Sequence, residues 1–351
     1  MLMKKIVVLS NTAFSIEKFR LHYLKRLSGY AIDIYTPDPK IKINSNLKNI
    51  RSYKFFTKNI IQELFTINKI INKNNNATFL VFSFKYQFLL GLIRLIKSFK
   101  IVCVIAGKGS YFYKKRITTV IFKPLIKFIF SKFDKIICIN PYDKKFFYKY
   151  LAIKIDLIPT EGVGYSSIKS KTNNQKNFVF FARLIKEKGL FEFLQIAKIF
   201  KEKYKNLNFY ICGPSNKKYI GQSNSYFKKE FNFDKKYVTY LGYKKNYKNT
   251  FLKMDCLISP SYTEGAGTSV MEAMMSGLFV VAYKNNGHNY ILKNTGNIIC
   301  DQNISALKKS VETYLEMDKK KLNLISIKSK KKIYRNFSSI IVSTSISKLI
   351  N

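Results

Sequence analysis

The sequence predicts an α/β protein built from two doubly wound domains. Its length of 351 residues is enough for about two domains. In both halves, short apolar runs alternate with helix-like segments, which is typical of parallel α/β units. Between the halves, residues 166–176 are polar, lack an apolar period and are predicted to be a linker. We therefore expect domains at 1–168 and 169–330, followed by a C-terminal segment at 331–351.

The predicted strands are apolar, β-rich runs of four or five residues. In the first half they lie at 5–9, 31–35, 79–82, 101–105, 135–139 and 155–158. In the second half they lie at 178–181, 208–212, 238–241, 255–258 and 279–282.

The charge of the chain is strongly positive, because Lys+Arg 63 stand against Asp+Glu 20, a net charge of +43. Such a surface attracts nucleic acid, anionic lipid or phosphorylated substrates. An abundance of Lys, Asn, Ile, Phe and Tyr without Trp is also what a genome poor in G and C produces. The basic residues are spread along the whole chain without a recognisable binding module, so we expect no specific nucleic acid partner.

Cysteine use and hydropathy predict a cytoplasmic protein without a metal site. The five cysteines are far apart in apolar runs, as expected of reduced core residues, and none has metal-ligand spacing. No apolar run reaches the roughly 18 residues of a transmembrane helix. The apolar stretch near the amino terminus is too short for a signal peptide and predicts a first buried strand.

The most informative stretch is 259–277, which holds two carboxylates, Glu264 and Glu272. Apolar runs before and after it predict a strand, a loop, a helix and a second strand. The loop therefore lies at the carboxyl end of a strand, where ligands bind in open α/β sheets. Thr268 and Ser269 suit a helix start, whose free N–H groups attract phosphate.

The spacing of Glu264 and Glu272, with Pro260-Ser261 before the pair and Ala273-Met274 after it, resembles the E-x7-E signature of glycosyltransferase family 4. These are retaining sugar-nucleotide transferases of the GT-B fold. The resemblance implies two Rossmann-like domains facing across a cleft, with the acceptor on the first and the sugar nucleotide on the second. It also implies that the C-terminal segment packs back on the first domain.

The same resemblance implies the donor site. Arg183 and Lys188 would be catalytic residues, since fixed cations can stabilise a leaving diphosphate without a metal cofactor. Glu264, the third catalytic residue, would orient the transferred sugar, and Glu272 would bind the nucleotide ribose. The other donor-binding residues it implies are Ala266, Gly267, Thr268 and Ser269 at the diphosphate, and Gly213, Gly242 and Tyr243 at the nucleobase.

Two loops of the first domain resemble a subgroup that builds lipid-linked oligosaccharides for cell-surface polysaccharides. In these loops, the residues that the resemblance implies for binding of the acceptor or the donor are Asn11, Thr12, Ala13, Phe14, Gly107 and Gly109. The implied reaction moves a hexose or N-acetylhexosamine from a nucleotide-diphosphate sugar, with UDP as the expected nucleotide. The implied acceptor is a polyprenyl-diphosphate-linked saccharide.

The two histidines and one loop depart from the pattern of this family. Many members place a histidine near the reacting sugar in the first domain, but here the only candidates are His22 and His288. We predict His22 on a helix face, and His288 either near the donor or as an exposed loop residue. Gly164 stands where the family has an aspartate.

Basic residues interleave with aromatic ones at 85–100 and 111–133. Basic amphipathic helices with aromatic residues bind anionic membrane surfaces. We therefore predict peripheral association with the inner face of the cell membrane.

Three other functions stay open on the sequence alone. The first is a GT-B-like sugar-nucleotide epimerase, which would need more acid and base side chains around the donor. The second is a non-enzymatic protein that binds nucleic acid or another anionic surface, as the charge of +43 would allow. The third is an inactive partner of another transferase.

Overall fold

The computed structural model describes residues 3–37, 49–55, 59–107, 121–164, 176–214, 234–244 and 246–350. The chain divides into two compact units. The first comprises Met1–Val163 with Phe337–Asn351, and the second comprises Gly164–Asn336. Apart from Lys176, the predicted linker at 166–176 lies outside the described residues.

The first unit is built on a parallel sheet of seven strands in the order β3-β2-β1-β4-β5-β6-β7. Its strands are β1 Lys4–Leu9, β2 Tyr30–Thr36, β3 Ile50–Lys54, β4 Thr78–Val81, β5 Lys100–Ile105, β6 Lys135–Cys138 and β7 Asp156–Leu157. Its described helices up to β7 are α1 Ala13–Phe19, α2 Leu21–Leu24, α3 Ile60–Lys73, α4 Phe84–Arg94, α5 Lys123–Phe130 and α6 Pro141–Leu151.

The second unit repeats this plan with six parallel strands in the order β10-β9-β8-β11-β12-β13. Its strands are β8 Lys176–Phe181, β9 Leu207–Cys212, β10 Thr239–Tyr240, β11 Cys256–Ser259, β12 Phe279–Tyr283 and β13 Ile298–Cys300. Its described helices are α7 Leu190–Lys203, α8 Tyr247–Phe251, α9 Thr268–Ser276, α10 Asn286–Leu292, α11 Ile304–Glu316 and α12 Lys319–Phe337.

The predicted α/β class with two doubly wound sheets is confirmed. In each sheet the strand order reverses at one point, between β1 and β4 in the first unit and between β8 and β11 in the second. Each predicted strand is present, with ends shifted by a residue or two, but β3 and β13 were not predicted. The first of these is an edge strand with three polar residues in five, and the second is only three residues long, so neither forms a clear apolar run.

Four helices lie side by side on one face of the first sheet. Right-handed crossovers from β3 onward require α3, α4, α5 and α6 to share that face, and neighbouring members are in contact. At Gly91 of α4, a Cβ atom would overlap the side chain of Ile129 on α5. The two helices therefore pack closely because one of them carries no side chain at this point.

The end of the chain returns to the first unit through α13, Ser339–Ile350. Arg26 Nε donates to Ser339 Oγ at 3.1 Å, and Lys100 Nζ donates to the carbonyl oxygen of Ile350 at 2.7 Å. The backbone N–H of Val163 donates to the carbonyl oxygen of Phe337 at 3.0 Å. These bonds fix both ends of α13 to the first unit.

Candidate donor site

The candidate site lies where the strand order of the second unit reverses. Strands β8 and β11 are neighbours there, with Cys256 paired to Phe178. The loop after β8 carries Arg183 and Lys188, and the loop after β11 carries Glu264. Carboxyl ends of adjacent parallel strands at such a reversal form the ligand-binding crevice of open α/β sheets.

Lys188 and Glu264 form an ion pair between these two loops. Lys188 Nζ lies 2.6 Å from Glu264 Oε1, and the side chains are only 16% and 13% exposed. Burial acts to raise the pKa of Glu264, but the charge and hydrogen bond of Lys188, together with His288 and Ser261, outweigh burial, and the pKa lies below its usual value. Glu264 is therefore ionised at neutral pH.

Backbone contacts hold the two loops together beside this ion pair. Gly189 has a φ of 74°, and a Cβ atom there would overlap the carbonyl group of Pro260. The N–H of Tyr262 donates to the carbonyl oxygen of Glu187 at 3.1 Å. A glycine is needed because the backbones meet with no room for a side chain.

Helix α9 begins beside Glu264. Gly267, in the left-handed region at φ 50°, precedes the first helical residue, Thr268, and no side chain caps this end. No acidic residue lies in the first turn, so the uncapped N–H groups of Thr268 and Ser269 suit an anion. The predicted helix start at these two residues is confirmed, and Ala266 before them is buried.

Arg183 is the exposed member of the predicted cation pair. It lies in the loop after β8, and its side chain makes no hydrogen bond or ion pair with another residue of the described ranges. Its guanidinium is therefore accessible to an anion, whereas the ammonium of Lys188 is already bound to Glu264.

The residues predicted at the nucleobase lie on the next loops of the same sheet edge. A Cβ atom at Gly213 would overlap the carbonyl oxygen of Ala182, and the N–H of Gly213 donates to the carbonyl oxygen of Gly242 at 3.1 Å. Tyr243 is 43% exposed. The loops after β8, β9 and β10 are thus joined backbone to backbone.

Glu272 lies on α9 and is 4% exposed. Burial raises the pKa of Tyr247 on α8, and the negative charge of Glu272 raises it further. The two side chains are therefore close, which places the second predicted carboxylate against α8. A ribose-binding role for Glu272 stays a prediction.

His288 is buried inside α10, so its prediction as an exposed loop residue was wrong. His288 Nδ1 lies 2.7 Å from the carbonyl oxygen of Tyr283, and Nε2 lies 3.3 Å from Ser259 Oγ. A carbonyl oxygen only accepts, so Nδ1 carries the proton and the hydroxyl of Ser259 donates to Nε2. Burial lowers the pKa of His288, which Glu264 only partly offsets. The imidazole is therefore neutral.

Sequence reasoning missed the support that α10 gives to the Glu264 loop. Asn285 Oδ1 accepts from the N–H of His288 at 2.9 Å, and Asn285 Nδ2 donates to the carbonyl oxygen of Ser261 at 2.8 Å. The N–H of Gly287 donates to the carbonyl oxygen of Glu264 at 3.2 Å. The signal was available, because Asn285 lies three residues after the predicted strand 279–282, and asparagine is a common helix N-cap.

The predicted loop of the first unit is in part a helix cap. Thr12 Oγ1 accepts from the N–H of Ser15 at 3.1 Å, so Thr12 caps α1, which begins at Ala13. Asn11 is exposed and Phe14 is half-buried. In the other predicted loop, Gly107 follows β5 at φ 126°, whereas Gly109 lies outside the described residues.

A buried ion pair joins α1 and α2 to the loop after β7. Arg20 Nη2 lies 2.6 Å from Glu161 Oε1, and both side chains are less than a tenth exposed. The guanidinium of Arg20 also lies 4.3 Å from the ring centroid of Phe82. His22 lies beside this pair on α2 as predicted, and burial lowers its pKa to about 4.

In the described part of the chain, no helix is both long and apolar enough to cross a membrane. The same residues contain no group of three His, Cys, Asp or Glu side chains that could hold a metal ion.

Comparison with known families gives glycosyltransferase matches in both halves of the chain. The family model described as "Glycosyl transferases group 1" matches residues 166–331. The model described as "Glycosyl transferase 4-like" matches residues 5–140. No curated protein sequence matches the chain.

Solved structures of similar shape span the whole chain. Sucrose-phosphate synthase from Thermosynechococcus elongatus has 14% sequence identity and a TM-score of 0.78, covering 99% of this chain and 98% of that one. A glycosyltransferase from Rickettsia africae has 15% identity and a TM-score of 0.77, covering 99% and 97%. HepE from Anabaena, solved in complex with UDP and glucose, has 14% identity and a TM-score of 0.75, covering 99% of each chain.

At these identities the structural likeness defines the class of fold, which is GT-B. With glycosyltransferase families matching both halves, the protein itself is a glycosyltransferase.

Proposed function

We propose that this glycosyltransferase moves a hexose or N-acetylhexosamine from a nucleotide-diphosphate sugar, with retention, to a polyprenyl-diphosphate-linked saccharide. The observation that carries the donor half of the proposal is the Lys188–Glu264 ion pair at the reversal of the second sheet. It brings a cation for diphosphate and an ionised acceptor for sugar hydroxyls to one place. A uridine nucleotide is the expected carrier, supported by HepE, which was solved with UDP-glucose.

In this proposal the cations stabilise the leaving group. The bond between the anomeric carbon and the diphosphate oxygen breaks, and negative charge grows on the diphosphate. Arg183 and Lys188 meet that charge as fixed cations, and the free N–H groups at the start of α9 add to them. The carboxylate of Glu264 accepts hydrogen bonds from sugar hydroxyls, and Glu272 accepts them from the ribose.

The acceptor hydroxyl must lose a proton as its oxygen bonds to the anomeric carbon. The imidazole of His288 is buried and engaged at both ring nitrogens, so it is a poor candidate for the base. We therefore assign the proton to an oxygen of the departing diphosphate. Attack on the face that the leaving group vacates retains the anomeric configuration.

The acceptor is assigned to the first unit and to the inner face of the cell membrane. This assignment rests on the loop at 11–14 and its likeness to enzymes that use lipid-linked saccharides in the assembly of surface polysaccharide, O-antigen, capsule or other glycans. The excess of basic residues suits a surface of anionic lipid.

The donor assignment is tested by thermal stabilisation across UDP-, GDP- and ADP-sugars, since a ligand stabilises the fold it binds by mass action. We expect one nucleotide family to stabilise the protein and Arg183→Ala to remove most of that effect. Lys186→Ala is the matched control, because Lys186 is an exposed lysine of the same loop. Equal losses in both variants, or no stabilisation by any donor, would overturn the assignment.

The reaction is tested with the donor so identified and a polyprenyl-diphosphate-linked saccharide. Transfer is expected, with the anomeric configuration of the donor kept in the product, as read by NMR. A product of inverted anomeric configuration would rule out the retaining mechanism. An altered sugar nucleotide formed without acceptor would instead indicate an epimerase, and donor binding without any product would indicate an inactive partner of another transferase.

A further inference from the structure

The helices α3 to α6 of the first unit expose an unusual amount of apolar surface. Their inner sides are buried against the sheet, but their outer sides and flanks keep large apolar side chains 40% or more exposed. The residues concerned are Ile60, Ile61, Phe65, Leu95, Ile96, Ile121, Phe122, Leu125, Phe128, Tyr142 and Tyr148. We call this the outer helix face.

Helix α5 shows the anomaly most clearly. Its inner side, with Ile126 and Ile129, is buried, and its outer side, with Leu125 and Phe128, is 40% and 50% exposed. The outer side of a surface helix is normally polar, but on α5 these two apolar side chains stand beside Lys123 and Lys127. The outer side of α5 is therefore a candidate for contact with another apolar phase.

Within the four helices the exposed charged side chains are all basic, and Asp134, which follows α5, is an exposed acidic residue that pairs with Arg94. The acidic residues of the four helices are Glu63 and Asp143, and both are buried. The basic residues of the same helices are Lys69, Lys73, Lys85, Arg94, Lys123, Lys127, Lys144, Lys145 and Lys149. Lys132 places its ammonium 4.8 Å from the ring centroid of Phe128, so cations and apolar groups are interleaved.

This bias is not uniform over the molecule. Helices α7 and α11 of the second unit carry exposed Glu202 and Glu316 among their lysines. Their one large apolar side chain with marked exposure is Ile199, at 37%. Helix α12 of the second unit is also basic and exposes Leu324 and Ile327, so it is the rival surface that the experiment has to separate from the outer helix face.

We propose that the outer helix face docks this protein on an anionic lipid bilayer. Exposed aromatic and aliphatic side chains would enter the interfacial region, and the surrounding lysines would meet lipid phosphates. The four helices begin at the carboxyl edge of the sheet, which is also the edge of the predicted acceptor loops. The proposal rests on the proposed function only in its choice of a membrane, and it is tested without any transfer reaction.

The experiment measures co-sedimentation of the full chain with vesicles of phosphatidylcholine alone or mixed with phosphatidylglycerol. An apolar variant combines Phe65→Ser, Leu125→Ser and Phe128→Ser, and a charge variant combines Lys123→Glu and Lys127→Glu. Ile199→Ser is the matched control for an exposed apolar residue. Leu324→Ser with Ile327→Ser tests the exposed apolar pair of α12, which are 52% and 54% exposed.

We expect the native chain to bind only the mixed vesicles, and each outer-face variant to bind them at least about tenfold more weakly. Ile199→Ser and the α12 variant should bind normally, and all variants should keep the melting temperature and the stabilisation by sugar nucleotide. Donor stabilisation and vesicle binding are separate readouts, so failure of the proposed function and failure of the docking surface are distinguishable.

Three results would overturn the proposal. The first is vesicle binding that only the α12 variant loses. The second is binding to duplex nucleic acid that the charge variant loses and the apolar variant keeps, which would make the face a polyanion site. The third is a dimer in light scattering that the apolar variant abolishes, with no vesicle binding, which would make the face a contact between copies.

Discussion

The backbone N–H of Gly287 donates a hydrogen bond to the carbonyl oxygen of Glu264. The start of α10 therefore fixes the backbone of the residue that we assign to the donor sugar. A Cβ atom at Gly287 would lie 2.7 Å from that oxygen and 2.8 Å from the Cβ of Glu264. The two residues approach each other so closely that only glycine fits without a shift of the loop.

Gly287→Ala should therefore displace Glu264 and weaken donor binding. Overpacking of this kind costs roughly 1–3 kcal/mol, and we expect sugar-nucleotide stabilisation to fall markedly while the protein remains folded. Gly164→Ala is the matched control, since a Cβ atom there would meet nothing within 4 Å. Unchanged donor stabilisation in Gly287→Ala would show that the loop position does not matter for binding.

Lys188→Met should raise the pKa of Glu264. The folded pKa lies below its unfolded value because Lys188, with His288 and Ser261, outweighs burial, so the ionised form stabilises the fold until the pH falls through the folded pKa. Without the lysine, the largest contribution opposing burial is lost, so the carboxylate takes up its proton at higher pH. Carboxyl NMR, with the signal assigned through Glu264→Gln, measures the shift, and Lys186→Met should leave the pKa unchanged.

His22 should make the first unit less stable in mild acid. Burial lowers its folded pKa to about 4, while the unfolded value is about 6.5. Both states are neutral above the unfolded pKa. Below the unfolded pKa, His22 is protonated in the unfolded chain but stays neutral in the folded protein. The free energy of unfolding therefore decreases as the pH falls from about 6.5 towards 4.

The loss attributable to His22 is up to about 3 kcal/mol. Urea unfolding of the native chain and of His22→Gln over this range measures it as a difference between two curves. The variant should show a flatter pH dependence. Parallel curves would mean that other groups cause the acid lability.

Arg20→Met should destabilise the first unit strongly. It would leave the buried carboxylate of Glu161 without its cation, and breaking a buried pair in this way costs about 3–5 kcal/mol. Adding Glu161→Gln should recover much of the loss, since no charge is then left buried. Arg51→Met is the control, because Arg51 is an arginine of the same unit whose side chain is 65% exposed.

Urea unfolding measures these three variants, and sugar-nucleotide stabilisation should persist in each of them below the unfolding transition. Equal destabilisation by Arg20→Met and Arg51→Met would argue that burial of the pair is unimportant.

Much of the fold could be predicted from the sequence because parallel strands covered by helices on both faces are continuous apolar runs. The helix start at Thr268 followed from residue types that favour an N-terminus. Strand β3 was not predicted because three of its five residues are polar and it lies at the edge of the sheet. Apolar periodicity reports burial, and it weakens where a strand has a neighbour on one side alone.

The site was harder to predict because its contacts join residues far apart in the chain. The pairing of Lys188 with Glu264 spans 76 residues, and no local pattern gives their distance. His288 was misjudged because its neighbours Asn286 and Gly287 indicate a loop, whereas they form the first turn of α10. Burial of that imidazole depends on Tyr283 and Ser259, which belong to two different strands.

The strand order of the second sheet has a consequence for how this enzyme could be re-engineered. Strands β8 and β11 are neighbours although β9 and β10 lie between them in the chain. The segment between β8 and β11 carries Gly213, Gly242 and Tyr243, and it adds β9 and β10 on the far side of β8, so it does not separate the cation loop from the carboxylate loop. Since we propose the nucleobase at these residues, replacing the segment with that of another transferase should change the nucleotide preference, provided that the replacement keeps a glycine at position 213, where the backbone packs against Ala182.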